Sequence, residues 1–578
     1  MKKKLLSLLL AATLLIPLTL ATTACQTTDE QALGEKVFSI AWTTDATNLN
    51  AHSNVAIIVG DVYAYVHSGL YMRVPGADRR SSFLAPDIAA SEPIQVDEWT
   101  WHIPIRPEAV WHNGSPINAH TFEYSYKMLL DPYLVNGMSN FLFAGQIDIL
   151  NGREYFLQNN EGNDPVAWED VGIRAVDDYT LEIVTVQRWL ADDVMRHFLD
   201  RSVFPVYEPF YEAGMNEDRT QTTYATCINT FMGAGPFFYD TWVQDALHVY
   251  TRNHDHWMTE WFHFDSVEIR VTPDRNARVQ LWESGDIFTL GLDAVTWPVY
   301  QYDPRIHANP TVSPIHFDIN CRNYENPLLA NRYFRRALLF AMDRETIADL
   351  AGGQRPAAYY VNYDAMAGDI HYRSSPEGLA NVLPNNGYDP ALANEYLEKA
   401  FAEVGVTTAH IEFMYTETHA TYKLIVEFLE QALPQLFGPE RFSVTLNAVP
   451  AGTPRNYEDA PTSFMLNPVS WGSTASRVRP FRAFEYVHSD YPEPTRPAPI
   501  IIPEFDELYR RANTEETRLN PQLMIELTAE LEAMYLHHVI QIPLYQGVGY
   551  TLMSERLILP VDEHVSALGW GVRFADIR

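Results

Sequence analysis

Two histidines flank an aspartate at His254-Asp255-His256, with His263 nearby, and this group has the spacing in the sequence that best suits metal binding. A His-x-His pair on a loop can present two imidazole nitrogens to one ion. Three enzyme signatures, His-Glu-x-x-His, Gly-x-Ser-x-Gly and Gly-x-x-x-x-Gly-Lys, are absent from the sequence. Catalytic groups need not be close in sequence, so these absences weaken an enzymatic role without excluding one.

A glycine-rich turn occurs at Gly233-Ala234-Gly235-Pro236-Phe237, where a phosphate-binding loop is one interpretation. No third glycine or lysine follows it, and Pro236 has no backbone N–H to offer a phosphate. The sequence therefore favours a structural turn at this place.

Three arginines, Arg477, Arg479 and Arg482, lie in a stretch from Ala460 to Phe484 that contains no Asp or Glu. The whole chain, by contrast, has 74 acidic and 41 basic residues. A guanidinium group matches a carboxylate through two parallel hydrogen bonds. Two interpretations stay open: these arginines pair with acids of the protein, or Arg477 binds a carboxylate or another anionic group of a ligand.

The clearest local structural signal precedes these groups, between Trp99 and Leu130. Apolar residues alternate with polar ones from Trp99 to Ile105, which predicts a half-buried strand. Because Pro104 removes one ladder donor, this is an edge strand or a strand that ends near Pro104. Asn113-Gly114 predicts a tight turn. Asn118 can then cap a helix whose apolar face is formed by Phe122, Tyr126, Leu129 and Leu130.

Composition limits the classes of protein to which the chain can belong. With 578 residues, 47% of them hydrophobic, it can bury large cores, and its length favours several lobes. The formal charge of −33 argues against a nucleic-acid partner, which requires a basic surface. Beyond residue 25 only Cys227 and Cys321 remain, and either a disulfide or two free thiols fits.

The N-terminus predicts export. Three lysines precede an apolar run from Leu5 to Leu20, which indicates a signal peptide over residues 1–24 and is too short for a stable membrane span. A cysteine after a small residue resembles the lipobox of bacterial lipoproteins, so we expect Cys25 to carry lipid, with plain cleavage as the alternative. Residues 25–36 would form a polar tether.

The segment from Trp111 to Ala119 closely resembles the signature of the family 5 extracellular solute-binding proteins of ABC transporters, the oligopeptide and dipeptide group. His120 and Thr121 depart from that pattern, because the family usually has acidic residues there, and this departure weakens the predicted cap. Further landmarks that resemble the family follow in order and include Leu84–Ala89, Ile173–Val184, Gly233–Phe237, Gly285–Ile287, Arg336–Arg344 and Ile542–Tyr545.

The resemblance implies an α/β fold of the periplasmic-binding-protein-like type II class. Such a protein is a three-lobed clamp, with two lobes around a hinge and an additional lobe inserted near the N-terminus. We therefore expect domain I at 37–75, 172–315 and 549–578, the inserted domain II at 76–171, and domain III at 316–548.

The same resemblance implies which residues contact the ligand. Ser53, Asn54 and Val55 fall where relatives offer backbone groups to it. Ser470, Trp471, Gly472, Ser473 and Thr474 align with a strand that lines the family's cleft, and Arg477 follows them. Peptide-binding relatives commonly have an aspartate where this chain has Thr474. A threonine cannot neutralise a buried ammonium group, which needs a paired anion.

The function implied is the capture of a peptide outside the cytoplasmic membrane and its delivery to the permease of an ABC importer. We expect a lipid-anchored monomer at the extracytoplasmic face of the membrane or in the periplasm, without catalysis or a cofactor. The resemblance places His254-Asp255-His256 on a surface turn, so no metal site is expected. An oligosaccharide or another polar or anionic solute is the alternative ligand. A sensing or adhesion lipoprotein and an exported hydrolase are the alternatives of another class.

Overall fold

The computed structural model describes residues 35–139, 142, 147–323, 326–368, 370–450, 464–469, 474–489 and 500–578. Its helices of eight residues or more are Ile57–Val66, Ala119–Leu129, Arg275–Glu283, Arg332–Ala341, Pro390–Val404, Ala420–Phe437, Pro503–Ala512 and Pro521–His538. Among the described residues, no helix combines the length and the apolar character needed to cross a membrane.

The first sheet begins with the N-terminal strand Val37–Trp42, which pairs in parallel with Ser266–Val271. Leu247–Arg252 and Phe237–Val243 extend this sheet through antiparallel pairing. A cluster of buried apolar side chains joins the sheet to the helix Ile57–Val66, so the beginning of the chain shares a core with residues about 200 positions later.

The second sheet contains the strand predicted from the alternation of tryptophan and isoleucine. Thr100–Pro104 lies between Ile94–Gln95 and the hairpin formed by Ile173–Asp177 and Thr180–Val184. Trp101 and Ile103 are buried, and the strand ends at its proline, as that residue predicts.

The helix Ala119–Leu129 packs on this sheet and begins with a reciprocal cap. The Thr121 N–H donates to Asn118 Oδ1, and the Asn118 N–H donates to Thr121 Oγ1, each at 3.2 Å. Thr121 thus fills the place of the acidic residue that the sequence lacks, and the expectation of a weakened cap is wrong. The predicted apolar face is buried and comprises Phe122, Tyr126, Leu129 and Leu130.

The third sheet has seven strands and is built around two long ones, Ile306–Ile319 and Gln541–Met553. They pair antiparallel, with register shifts between Pro310 and Pro314 and between Ile315 and His316. The remaining strands of the sheet are Thr289–Leu292, Arg355–Pro356, Ala409–Thr416, Phe442–Val449 and Leu466–Val469.

Helices Arg332–Ala341, Pro390–Val404 and Ala420–Phe437 contribute side chains to the core of this third sheet. Arg332–Ala341 buries the predicted face of Phe334, Ala337, Leu338 and Ala341. Helices Pro503–Ala512 and Pro521–His538 form a further core beside it. Separate cores are what a chain of several lobes requires, while the predicted boundaries between the lobes stay a prediction.

Candidate functional site

A cavity of about 470 Å³ is enclosed by residues from three distant parts of the chain, within 60–87, 147–262 and 477–573. This volume is typical of a site for a small ligand. The ionised side chains that line it are six arginines and three aspartates: Arg73, Arg196, Arg201, Arg477, Arg479, Arg573, Asp87, Asp193 and Asp200.

The side chain of Arg573 contacts the backbone of Arg73, 500 positions away in the chain. Arg73 is on the strand Tyr71–Pro75, and its Nη1 donates to Ser82 Oγ at 3.1 Å. Nη2 of Arg573 donates to the Arg73 carbonyl at 3.2 Å. Burial lowers the pKa of both guanidinium groups, that of Arg73 to about 10, so both remain charged at neutral pH.

Arg201 begins a short 3-10 helix that Asp200 caps. The Asp200 carboxylate accepts from the Ser202 N–H at 2.9 Å and from its hydroxyl at 2.7 Å. Arg201 donates from Nη1 to the Asn54 carbonyl at 2.8 Å and from Nη2 to the Ala56 carbonyl at 3.0 Å. This arginine therefore fixes the loop before the helix Ile57–Val66 against the cavity wall.

Arg477 enters the cavity from the C-terminal part of the chain, at the end of the 3-10 helix Thr474–Arg477. Its Nη2 donates to the carbonyl of Pro310 at 3.2 Å, next to the register shift in the long strand. Burial lowers the pKa of its guanidinium, with Asp364 opposing that shift. Its side chain thus contributes positive charge to the wall of the cavity.

Trp189 joins the N-terminal and C-terminal walls. The guanidinium carbons of Arg479 and Arg518 lie 5.3 Å and 4.2 Å from the centre of its ring, which are cation–π distances. Arg479 also forms an ion pair with Asp193. Nη2 of Arg518 donates to the Arg188 carbonyl at 2.9 Å.

Asp87 is the most deeply buried carboxyl group of the lining. It accepts a hydrogen bond from Trp257 Nε1 at 2.8 Å, and burial raises its pKa to about 6. Burial lowers the pKa of His67 and of His256 to about 3, so these two imidazoles are neutral at pH 7. At neutral pH the charge of the lining therefore comes from its arginines and aspartates.

The residues predicted to bind ligand fall into three groups. Arg477 lines the cavity, and Thr474 lies on the same 3-10 helix. Ser53, Asn54 and Val55 lie outside the lining. The Asn54 carbonyl accepts a hydrogen bond from the lining residue Arg201, and Val55 is 57% exposed. Ser470, Trp471, Gly472, Ser473 and the lipidation candidate Cys25 lie outside the described residues. Their roles stay predictions.

The sequence did not point to Arg73, Arg201, Arg573 or Trp189 as site residues. Each is surrounded in sequence by residues of ordinary composition, and only tertiary folding brings them together. Asp87 belongs to the landmark Leu84–Ala89, which pointed to the family and not to a site. For these residues the sequence offers no local signal, unlike the acid-free stretch that contains Arg477.

The histidine cluster has a structural role at its second histidine. His256 is buried, its Nδ1 accepts from the Met258 N–H at 3.1 Å, and its Nε2 lies 3.3 Å from the Ser68 hydroxyl. Across the described ranges, no group of three or more His, Cys, Asp or Glu side chains is arranged to hold a metal ion. Cys227 and Cys321 are free thiols, which settles the question of the disulfide.

Comparison with known proteins gives one matching family description, "Bacterial extracellular solute-binding proteins, family 5 Middle", over residues 84–489. The dipeptide-binding protein DppE of Bacillus subtilis is 25% identical over 360 residues, which cover 61% of this chain and 60% of that protein. The oligopeptide-binding protein OppA of the same organism is 25% identical over 319 residues, 54% of this chain and 53% of OppA. The sequence matches thus span between half and two thirds of these relatives.

Solved structures resemble the chain over more of its length. The substrate-binding domain of an oligopeptide ABC transporter from Bacillus anthracis has a TM-score of 0.74 at 19% identity, with 94% of this chain and 99% of that one covered. Listeria monocytogenes OppA bound to peptide has a TM-score of 0.72 at 20% identity, with the same coverage of 94% and 99%. The predicted α/β, periplasmic-binding-protein-like fold is confirmed. Because the family description matches more than half of the chain, the protein belongs to the family 5 bacterial extracellular solute-binding proteins.

Proposed function

We propose that the protein captures a peptide outside the cytoplasmic membrane and delivers it to the permease of an ABC importer, without chemical change to the peptide. The observation that carries this proposal is the cavity of about 470 Å³, lined by N-terminal and C-terminal parts of the chain, in a member of this family. The relatives are named dipeptide-binding and oligopeptide-binding proteins, which favours peptide as the ligand.

Closure around the ligand is the second part of the proposal. The predicted domain boundaries at 315/316 and 548/549 fall within the two long paired strands Ile306–Ile319 and Gln541–Met553. Their ladder is interrupted by register shifts, and such irregularities allow strands to bend. We infer that these strands form the hinge, and that binding shifts the population towards the closed state.

The position of the protein in the cell forms the third part. We propose cleavage after residue 24 and lipid attachment to Cys25, with residues 25–36 as the tether. A monomer held at the extracytoplasmic face of the membrane could then capture ligand and contact the permease.

Native mass spectrometry of the protein purified without denaturation tests the ligand. We expect peptides of a few residues to be released on denaturation, and the same synthetic peptides to raise the melting temperature by mass action. Release of a sugar or another solute, together with no stabilisation by any peptide, would contradict peptide capture. The arginine-rich lining makes an anionic solute the second candidate.

A further inference from the structure

The charge of the cavity is opposite to the charge of the chain. The sequence carries a formal charge of −33, yet among the described residues of the cavity lining six arginines outnumber three aspartates, and no lysine or glutamate occurs there. A cavity with low-dielectric walls and one predominant sign of charge concentrates ligands of the opposite sign. The excess of guanidinium groups is therefore a property of the site and not of the surface as a whole.

The three aspartates of the lining all have protein partners. Asp193 is paired with Arg479. Asp200 accepts from the backbone and the hydroxyl of Ser202. Asp87 accepts from the Trp257 indole at 2.8 Å and is buried. None of the three is an uncommitted anion for the ammonium group of a ligand.

Four of the arginines form no direct ion pair. Among the described residues, no carboxylate lies within salt-bridge distance of Arg73, Arg201, Arg477 or Arg573, although a carboxylate farther away acts on each of them. The hydrogen bonds of these four guanidinium groups within the described residues go to neutral acceptors, namely backbone carbonyls and, for Arg73, the Ser82 hydroxyl. Buried or half-buried charges normally have a partner of opposite sign. A ligand can supply that partner.

We propose that the ligand is a peptide whose anionic groups outnumber its cationic ones, with its carboxylates held by Arg477 and by Arg73 or Arg573. This rests on the proposed function and specifies its ligand class. Arg477 and Arg73 line the cavity from different parts of the chain, so two carboxylates of one peptide can connect them. Guanidinium groups suit this role because they bind carboxylates through paired hydrogen bonds.

Calorimetric titration of the protein with Ala-Glu-Ala, Ala-Gln-Ala and Ala-Lys-Ala tests the inference, because the middle side chain of these peptides is negative, neutral and positive in turn. We expect Ala-Glu-Ala to bind at least tenfold more tightly than its isostere Ala-Gln-Ala, and Ala-Lys-Ala to bind most weakly. Equal affinity for the three peptides, or a preference for Ala-Lys-Ala, would overturn the inference and leave peptide capture intact.

Two variants locate the effect. The C-terminal amide of Ala-Glu-Ala is titrated as well, to measure the preference for a free C-terminus. Arg477→Gln and Arg73→Gln should each reduce one of two preferences by about tenfold or more: that for Ala-Glu-Ala over Ala-Gln-Ala, or that for the free C-terminus over its amide. Arg219→Gln is the matched control, since Arg219 pairs with Glu212 on the surface outside the cavity lining. If both variants fold, as circular dichroism and thermal melting report, yet keep every preference of the parent, the assignment of these arginines is wrong.

A further arm separates this inference from the proposed function. A dicarboxylate such as glutarate and a disaccharide of galacturonic acid are titrated alongside the peptides. Binding of these anions with no binding of any peptide would contradict peptide capture and, with it, the proposed ligand, while leaving an anion-binding cavity. No binding by any member of the panel would contradict both.

Discussion

Asp87 is a single residue of the cavity lining that makes the stability of the folded protein depend on pH. Its pKa is raised from 3.8 to about 6 in the folded protein, so the folded state binds more protons than the unfolded state between these values. Its contribution to stability is therefore greatest at low pH and is lost as the pH rises through about 6. A carboxyl group with this sign of shift opposes folding at neutral pH.

We expect Asp87→Asn to remove this dependence. The unfolding free energy of the variant, relative to that of the parent, should rise by roughly 2 kcal/mol between pH 4 and pH 7. Urea unfolding of both proteins without ligand, at several pH values, measures the difference. Other titrating groups cancel in the comparison.

Asp78→Asn is the matched control, because Asp78 is exposed and hydrogen bonds from Arg80 and Ser81 lower its pKa. The contribution of Asp78 to stability is present above its unfolded pKa and is lost only as the pH falls below that value. The unfolding free energies of this variant and of the parent should therefore run parallel between pH 5 and pH 7. A parallel curve for Asp87→Asn over that range would show that burial does not raise the pKa of Asp87.

The difference between Arg477 and the other site arginines shows how far the sequence reaches at this scale. Arg477 stood out because no acid lies within a stretch of 25 residues in an acidic chain. Arg73 and Arg573 contact each other across 500 positions, and their neighbours in sequence carry no comparable signal. Only tertiary folding defines that pair, so a single sequence could not predict it.

At the scale of elements, the cap of the helix Ala119–Leu129 is a local device that the sequence largely predicted. Asn118→Ala removes the acceptor of the Thr121 N–H and should lower the unfolding free energy by about 1 kcal/mol. Thr121→Ala should act in the same direction, because it removes the acceptor of the Asn118 N–H. Chemical denaturation measures both effects.

His120→Ala is the control for the cap. His120 is exposed beside Asp178, at a distance of 3.4 Å, and exposed pairs of this kind contribute little. If His120→Ala costs as much as Asn118→Ala, the effect arises from the helix as a whole and not from the reciprocal cap.

The contacts of Trp189 with Arg479 and Arg518 are a second element-scale feature, since they join the two sides of the cavity. We expect Arg518→Gln and Trp189→Ala to weaken this junction and to increase the radius of gyration of the unliganded protein in small-angle scattering. Trp99→Ala is the control, because Trp99 is exposed and lies away from the cavity lining.

Truncation of a buried tryptophan costs about 3–5 kcal/mol of stability, so Trp189→Ala can fail to fold. Scattering from Arg518→Gln is then the decisive measurement. A radius of gyration equal to that of the parent in both folded variants would mean that Trp189 does not hold the two sides together.

The long strands mark the limit of prediction from local pattern. Of these two strands, the sequence landmarks included only the segment Ile542–Tyr545. Pro310, Pro314 and Pro543 interrupt the alternation and remove ladder donors, so the 14-residue strand Ile306–Ile319 and the 13-residue strand Gln541–Met553 do not stand out locally. Pairing between the two strands maintains them despite the prolines.

At the scale of the whole molecule, the fold was predictable because its landmarks occur in the family's order, whereas the position of each lobe depends on contacts between distant segments. The proposed anchor also belongs to this scale. Cys25→Ala should abolish labelling by radioactive palmitate and release the exported protein from membranes, because lipid attachment requires that thiol. A variant that still labels and sediments with membranes would contradict the anchor.

Captured peptide, on our proposal, lies in the cavity lined by residues within 60–87, 147–262 and 477–573. A crystal structure of the protein with the tightest-binding tripeptide tests it most directly. The account predicts peptide density inside the cavity, with carboxylate oxygens within hydrogen-bond distance of Arg477 and of Arg73 or Arg573. Peptide density elsewhere, such as the groove between Asn326 and Arg441, with the cavity empty, would contradict the account.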